Sequence, residues 1–239
     1  MVHFFKKTRQ RLITQNPTTG GKGTFGKYLK YAIGEIALVV VGILIALYIN
    51  NWSEENKQRN NRNATIEQLK EENLLHLTDL TGDISYRDTL DVMLQDFHVF
   101  LGEENLEENQ KQLKNYLGGT LRSSVYYFSN NYLQKYIREN PKDDSRLTVE
   151  LLKLDMFQKA LEELSNKAFE YKFDHILTQI EPIVDFSTLE IKELTPLKSL
   201  KFRNNILILE NLETELFGTF EETIAQQQLV DSLITAQLR

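Results

Sequence analysis

Cysteine is absent from the 239 residues, which removes disulfide staples, thiolate zinc ligands and thiol nucleophiles from consideration. Proline and glycine are scarce. Four prolines and 11 glycines leave room for few turns and favour long helices over a turn-rich β fold. Histidine occurs at His3, His76, His98 and His175, and no two share the His-x-x-x-His spacing of a helical metal site. Asp174 and His175 are adjacent in a helical stretch, so their side chains point about 100° apart. Gly20-Gly21-Lys22-Gly23-Thr24 fails as a phosphate loop, because Gly23 follows the lysine where Ser or Thr must stand. It reads as a flexible spacer. There is no Gly-x-Ser-x-Gly elbow. Asp83, Asp88, Asp91 and Asp96 lack the glycine-containing loop that calcium requires and read as a solvated helix face. The expectation is a protein that is not an enzyme, with no cofactor and no metal.

Acidic residues are missing before Glu35, where seven cations stand: Lys6, Lys7, Arg9, Arg11, Lys22, Lys27 and Lys30. The remainder carries 21 Lys/Arg against 34 Asp/Glu, an acidic balance that excludes nucleic acid as an expected partner. Between the two lies the longest apolar run. Residues 32–49 hold one charge, Glu35, and residues 36–49 are all apolar, Gly or Tyr. A bilayer core of about 30 Å calls for roughly 20 such residues. Tyr28, Tyr31, Tyr48 and Trp52 bracket the run, where amphipathic rings anchor at the two headgroup levels. The sequence therefore predicts a transmembrane helix over residues 31–50. The cations place the N-terminus in the cytoplasm and the larger part outside it. No A-x-A-like site follows the run, so it reads as an uncleaved signal anchor. Glu35, Gly42 and Ala46 fall on one helical stripe. The small-xxx-small pair Gly42 and Ala46 lets a second helix approach closely, with Glu35 as its hydrogen-bonding member.

The stretch Gly26-Lys27-Tyr28-Leu29-Lys30-Tyr31-Ala32-Ile33-Gly34-Glu35-Ile36, continuing through Val39-Val40-Val41-Gly42-Ile43-Leu44-Ile45-Ala46-Leu47 to Ile49-Asn50-Asn51-Trp52 and Glu54-Glu55, resembles the hallmark of an uncharacterised Bacteroidota single-pass membrane protein family. The basic opening, Phe4-Phe5-Lys6-Lys7 with Arg9-Gln10-Arg11-Leu12, is similar too. The resemblance covers roughly the first 55 residues; residues 15–24 depart from it as a Gly/Thr-rich insertion. It implies a bacterial inner-membrane protein with a periplasmic C-terminal domain, and it implies no reaction.

The fold class expected is all-α. Residues 1–30 form the basic tail, 31–50 the membrane helix, 51–65 a polar stalk and 66–239 an elongated helical domain with long first and last helices. Residues 66–101 show two apolar stripes that do not join in phase, with Gly82 near the slip, which predicts a kink or shift. A short helix over 104–117 closes at Gly118-Gly119. Another spans 126–139, a third begins after a cap at Asp144 or Ser145, and a fourth covers 167–180. Residues 185–194 are loop or short helix. Thr195-Pro196 starts the last helix, which runs to about Gln237. Tyr127, Phe128, Tyr132 and Tyr136 form the one local aromatic enrichment, fit for a core or an interface. The functional expectation is a membrane-anchored envelope scaffold or protein-interaction module, a homo-oligomer or bound to another membrane protein. The alternative is a ligand-binding or sensor module acting through a membrane partner.

Overall fold

A computed structural model describes residues 23–102, 106–141 and 143–238. The basic tail over residues 1–22 therefore lies outside the described residues. The chain divides into two compact units, Met1–Arg59 and Asn60–Arg239. Helix α1, Gly23–Phe100, contributes to both. After it come α2 (Gln110–Thr120), α3 (Asn131–Glu139) and α4 (Arg146–Tyr171). A π-helical turn, Lys172–Leu177, and the short α5, Thr178–Ile180, extend α4. Strands β1 (Val184–Asp185) and β2 (Glu190–Ile191) precede α6, Leu200–Gln237. Apart from that hairpin the described residues are all-α.

In the first unit the predicted apolar segment is helical, long and apolar enough to cross a membrane. Its mean hydropathy reaches 2.6 over an 18-residue window, none of it buried. Leu38, Val39, Ile43, Leu44 and Ile49 are each more than half exposed. A contiguous apolar surface of this kind is rare on a monomer bathed in water.

The second unit is built on a heptad repeat. In α1 one row of buried positions runs Ile66, Leu69, Asn73, Leu80, Arg87, Leu90, Leu94 and Phe97, with half-buried His76 and Asp83 filling the gaps and buried Thr65 and Phe100 beside it. The alternating spacing of three and four makes this row one seam. The helix passes Gly82 without interruption. The expected shift there is corrected: one seam runs past Gly82, its polar members Asn73, Asp83 and Arg87 hide it in the sequence, and Leu77, Ile84, Tyr86 and Met93 lie beside it. In α4 the seam runs Leu147, Leu151, Leu154, Gln158, Leu161, Ser165 and Ala168. In α6 it runs from Phe202 to Ile234 through Glu213, Thr223 and Gln227.

Cross-links give the helix directions. Asn73 Nδ2 donates to the Gln227 carbonyl at 3.0 Å, and Arg87 Nη1 reaches Glu213 at 2.7 Å. Advancing along α1 thus means retreating along α6. Gln226 donates to the Glu150 carbonyl at 2.9 Å, and Tyr171 donates to Asn205 Oδ1 at 3.1 Å, so α4 and α6 are antiparallel as well. The apolar core forms three clusters. One contains Ile66, Tyr136, Leu151 and Val230, the next Leu80, Tyr126, Leu161 and Phe220, and the third Leu94, Phe97, Ile176 and Phe202. On each long helix a buried polar residue falls between successive clusters. Asn73, Gln158 and Gln227 stand at the first division; Arg87, Lys172 and Glu213 stand at the second.

Several boundaries differ from the sequence reading. Helix α2 starts at Gln110 and continues through Gly118 and Gly119. A Cβ on Gly119 would overlap the Met93 thioether, so that flexible side chain would have to move aside. A Cβ on Gly118 would come 3.2 Å from Leu189 Cδ1. The region 126–139 is helical only from Asn131, and residues 122–130 form a strap without regular structure. Ser145 is the cap of α4, its Oγ accepting from the Thr148 amide at 3.4 Å. The stretches 146–164 and 167–180 are one continuous helical run rather than two helices. Residues 184–191 form the antiparallel hairpin, paired Val184 with Ile191 and Asp185 with Glu190. Its turn is held by the Ser187 amide on Asp185 Oδ1 at 2.9 Å, and Leu189 takes a left-handed φ of 54°. Thr195 and Pro196 lie in a turn, and α6 begins after Ser199, whose Oγ accepts from the Phe202 amide at 3.1 Å. Such a serine cap contributes about 1 kcal/mol.

Candidate functional site

Chemical interest in the second unit centres on the strap and the charges beneath it. Along the strap, side chains of the long helices replace the backbone partners a helix would supply. Lys172 Nζ donates to the Arg122 carbonyl at 2.9 Å, and Arg87 Nη2 to the Ser124 carbonyl at 2.9 Å. The Tyr126 amide donates to Ser165 Oγ at 3.1 Å and the Phe128 amide to Glu162 Oε1 at 2.7 Å. At the end of the strap, Glu72 of α1 accepts from the Tyr132 and Leu133 amides, each at 3.0 Å. A carboxylate from another helix thus caps α3 and offsets its N-terminal dipole.

Under the strap lies a buried ion cluster. Glu213 is 3% exposed and takes Arg87 on one oxygen at 2.7 Å and Lys172 on the other at 2.6 Å. Arg87 Nε donates to the Tyr126 hydroxyl at 2.8 Å, with its guanidinium 5.0 Å from the Tyr126 ring centre. Burial pushes the Tyr126 phenol up to about 12, although Arg87 pulls the other way. Burial likewise holds the Lys172 ammonium below the ordinary lysine value, against the attraction of Glu213. The Arg87 nitrogens, the Lys172 ammonium and both Glu213 oxygens are engaged by protein groups. The cluster joins α1, α4 and α6 to the strap, a structural task that presents no free nucleophile or proton carrier. Among the described residues no three His, Cys, Asp or Glu side chains gather where they could hold a metal.

The sequence reading missed Arg87, Lys172 and Glu213. Their signal was the seam itself. Arg87 is 21 residues from Ile66, and Glu213 is seven from Ile206; a polar residue on an apolar heptad position must find a buried partner.

The predicted residues are placed as follows. Tyr28, Tyr31, Glu35, Gly42, Ala46, Tyr48 and Trp52 are all exposed on α1, and Gly42 has nothing within 4 Å of where a Cβ would stand. The aromatic group is divided. Tyr127 is 75% exposed. Phe128 packs edge-on against His76 at 5.3 Å, and Tyr132 is half-buried beside the first core cluster. Tyr136 is fully buried, and its hydroxyl joins Arg62 at 2.8 Å and Asp143 at 3.1 Å. A polar groove of about 680 Å³ opens between the strap, α3 and α4.

Comparison with known proteins adds one likeness. Residues 35–93 match a family of unknown function (DUF6090). The match begins at Glu35 and passes from the apolar segment into the bundle as far as Met93, about a quarter of the chain. It includes Gly42, Ala46, Glu72 and Arg87 and leaves out the basic tail. No curated protein and no solved structure matches the chain.

Proposed function

We propose that the protein is a non-enzymatic, single-pass membrane scaffold or interaction module. The carrying observation is the fully exposed apolar stretch of α1, whose 18-residue window has mean hydropathy 2.6. Water would disfavour that surface strongly, at about 25 cal/mol for each Å² left exposed, whereas a bilayer accommodates it. The seven cations before Glu35 orient the N-terminus to the cytoplasm and the bundle to the periplasm of a bacterial inner membrane. Glu35, Gly42 and Ala46 form the stripe through which a second copy, or another membrane protein, packs. Replacing Gly42 and Ala46 together with Leu is expected to abolish in-membrane crosslinking of a tagged, native-level chain. Unchanged crosslinking would refute association through this stripe.

The groove at residues 128–162 favours a second reading, a ligand-binding module that acts through a membrane partner. Here a ligand would raise the unfolding temperature of the full chain in detergent.

A further inference from the structure

Helix α1 carries a second heptad row on its outer side. Each member stands two residues after a member of the core seam, about 200° round the helix. The row runs Leu75, Thr78, Gly82, Ser85, Thr89 and Val92, all exposed, and it covers about 25 Å of helix. None of the six is charged, although the outer side of a bundle helix ordinarily carries charge. Leu75 is 67% exposed and Val92 52%. Thr78 donates to the Leu74 carbonyl at 2.8 Å and Thr89 to the Ser85 carbonyl at 2.7 Å. Those bonds occupy the hydroxyls and leave the methyls to face outward. A Cβ on Gly82 would meet nothing within 4 Å, so the middle of the row is uncovered among the described residues.

Charge decides what fits there. The positions flanking the row hold Asp79 and Asp88, and Glu71 and Asp96 close its two ends, all four exposed. From Glu71 to Gln110 the one Lys or Arg is Arg87, and it is buried. A second copy laid along this row would bring acids together with no cation to balance them, and flanking charges of this kind select the partner. We propose that the row docks a helix of another protein, apolar along its own heptad row and flanked by lysine or arginine. The small side chains of Gly82 and Ser85 let that helix approach closely at the middle of the row. The family match, which ends at Met93, takes in the whole row and no part of α4 or α6. The inference rests on reading the chain as an interaction module and names the chemistry of its partner.

The probes are two synthetic helical peptides of four heptads. Both carry leucine along the heptad row; one has lysine beside it and the other glutamate. Calorimetric titration uses the full chain in nanodiscs of zwitterionic lipid, with empty discs as the blank. The lysine peptide is expected to bind and the glutamate peptide is not. Asp79→Lys combined with Asp88→Lys is expected to weaken the lysine peptide by about tenfold, as two exposed charge pairs turn repulsive, and to admit the glutamate peptide. Glu221→Lys combined with Glu222→Lys makes the same change of charge at exposed positions of α6 and is expected to leave the lysine peptide's affinity unchanged. No heat from the lysine peptide overturns the proposal. Equal binding of the two peptides also overturns it, as does an α1 variant that loses no more affinity than the α6 variant. Crosslinking between two differently tagged copies is measured on the α1 variant alongside. It is expected to be unchanged, and a change would seat a second copy on the row and overturn the basic partner. The scaffold reading fails separately, on the variant of Gly42 and Ala46.

Discussion

Glu213 shows how much one buried carboxylate decides. It balances two cations that are themselves almost fully buried, Arg87 at 2% and Lys172 at 7% side-chain exposure. Changing it to Gln leaves a guanidinium and an ammonium facing a neutral amide in a site shielded from water. The expected cost is about 3–5 kcal/mol, typical of breaking a buried ion pair from one side. Lys172→Met in the same background is expected to recover part of that loss, because one unpaired cation is then gone. Urea unfolding of the two single variants and the double variant supplies the cycle. A Glu213→Gln cost below about 1 kcal/mol would show that the cluster is not the fastening described.

At the scale of elements, glycine separates the helices into open and crowded places. Gly82 in α1 and Gly218 in α6 have nothing within 4 Å of an added Cβ, whereas at Gly119 in α2 the methyl would meet Met93. Gly82→Ala and Gly218→Ala are therefore each expected to stabilise by about 0.5–1 kcal/mol through helix propensity. Gly119→Ala is expected to lose that gain to overpacking, about 1–3 kcal/mol, and to regain it when Met93 is shortened to Ala. Thermal unfolding of the four variants checks the order. The strap is the other lesson at this scale. Residues 126–130 have apolar spacing that suits a helix, yet their backbone partners come from Ser165 and Glu162 of α4. Those residues are 39 and 34 positions from the amides they hold, too far for local propensity to register.

For the whole molecule, pH becomes a lever through His76. Burial lowers its pKa below 6.5, outweighing the attraction of Glu72 and Asp79. The folded state therefore prefers the neutral ring. This contribution to stability is complete above the unfolded value near 6.5 and is lost as pH falls toward and through the folded value. The unfolding midpoint of the full chain in detergent is expected to fall between about pH 7.5 and 5.5, above the range where carboxylates titrate. His76→Phe keeps a ring against Phe128 and is expected to flatten that slope. A variant with the same slope as the parent would assign the effect elsewhere.

Two features were legible in the chain because they are local and periodic. The apolar run of 36–49 needs no contact to be recognised, since composition over some 20 residues decides what can cross a bilayer. The long first and last helices follow from apolar spacing of three and four and from the scarcity of proline, whereas in sequence the middle helix reads as two. The tertiary structure decided the rest. It put Gly118 and Gly119 inside a helix, moved the start of α6 from Thr195 to Ser199 and drew residues 184–191 into a hairpin. It also gave Arg87 its two side-chain partners, 39 and 126 positions away. Each of these depends on atoms brought together from distant positions, where a buried polar group must be paired whatever its own neighbours in sequence prefer.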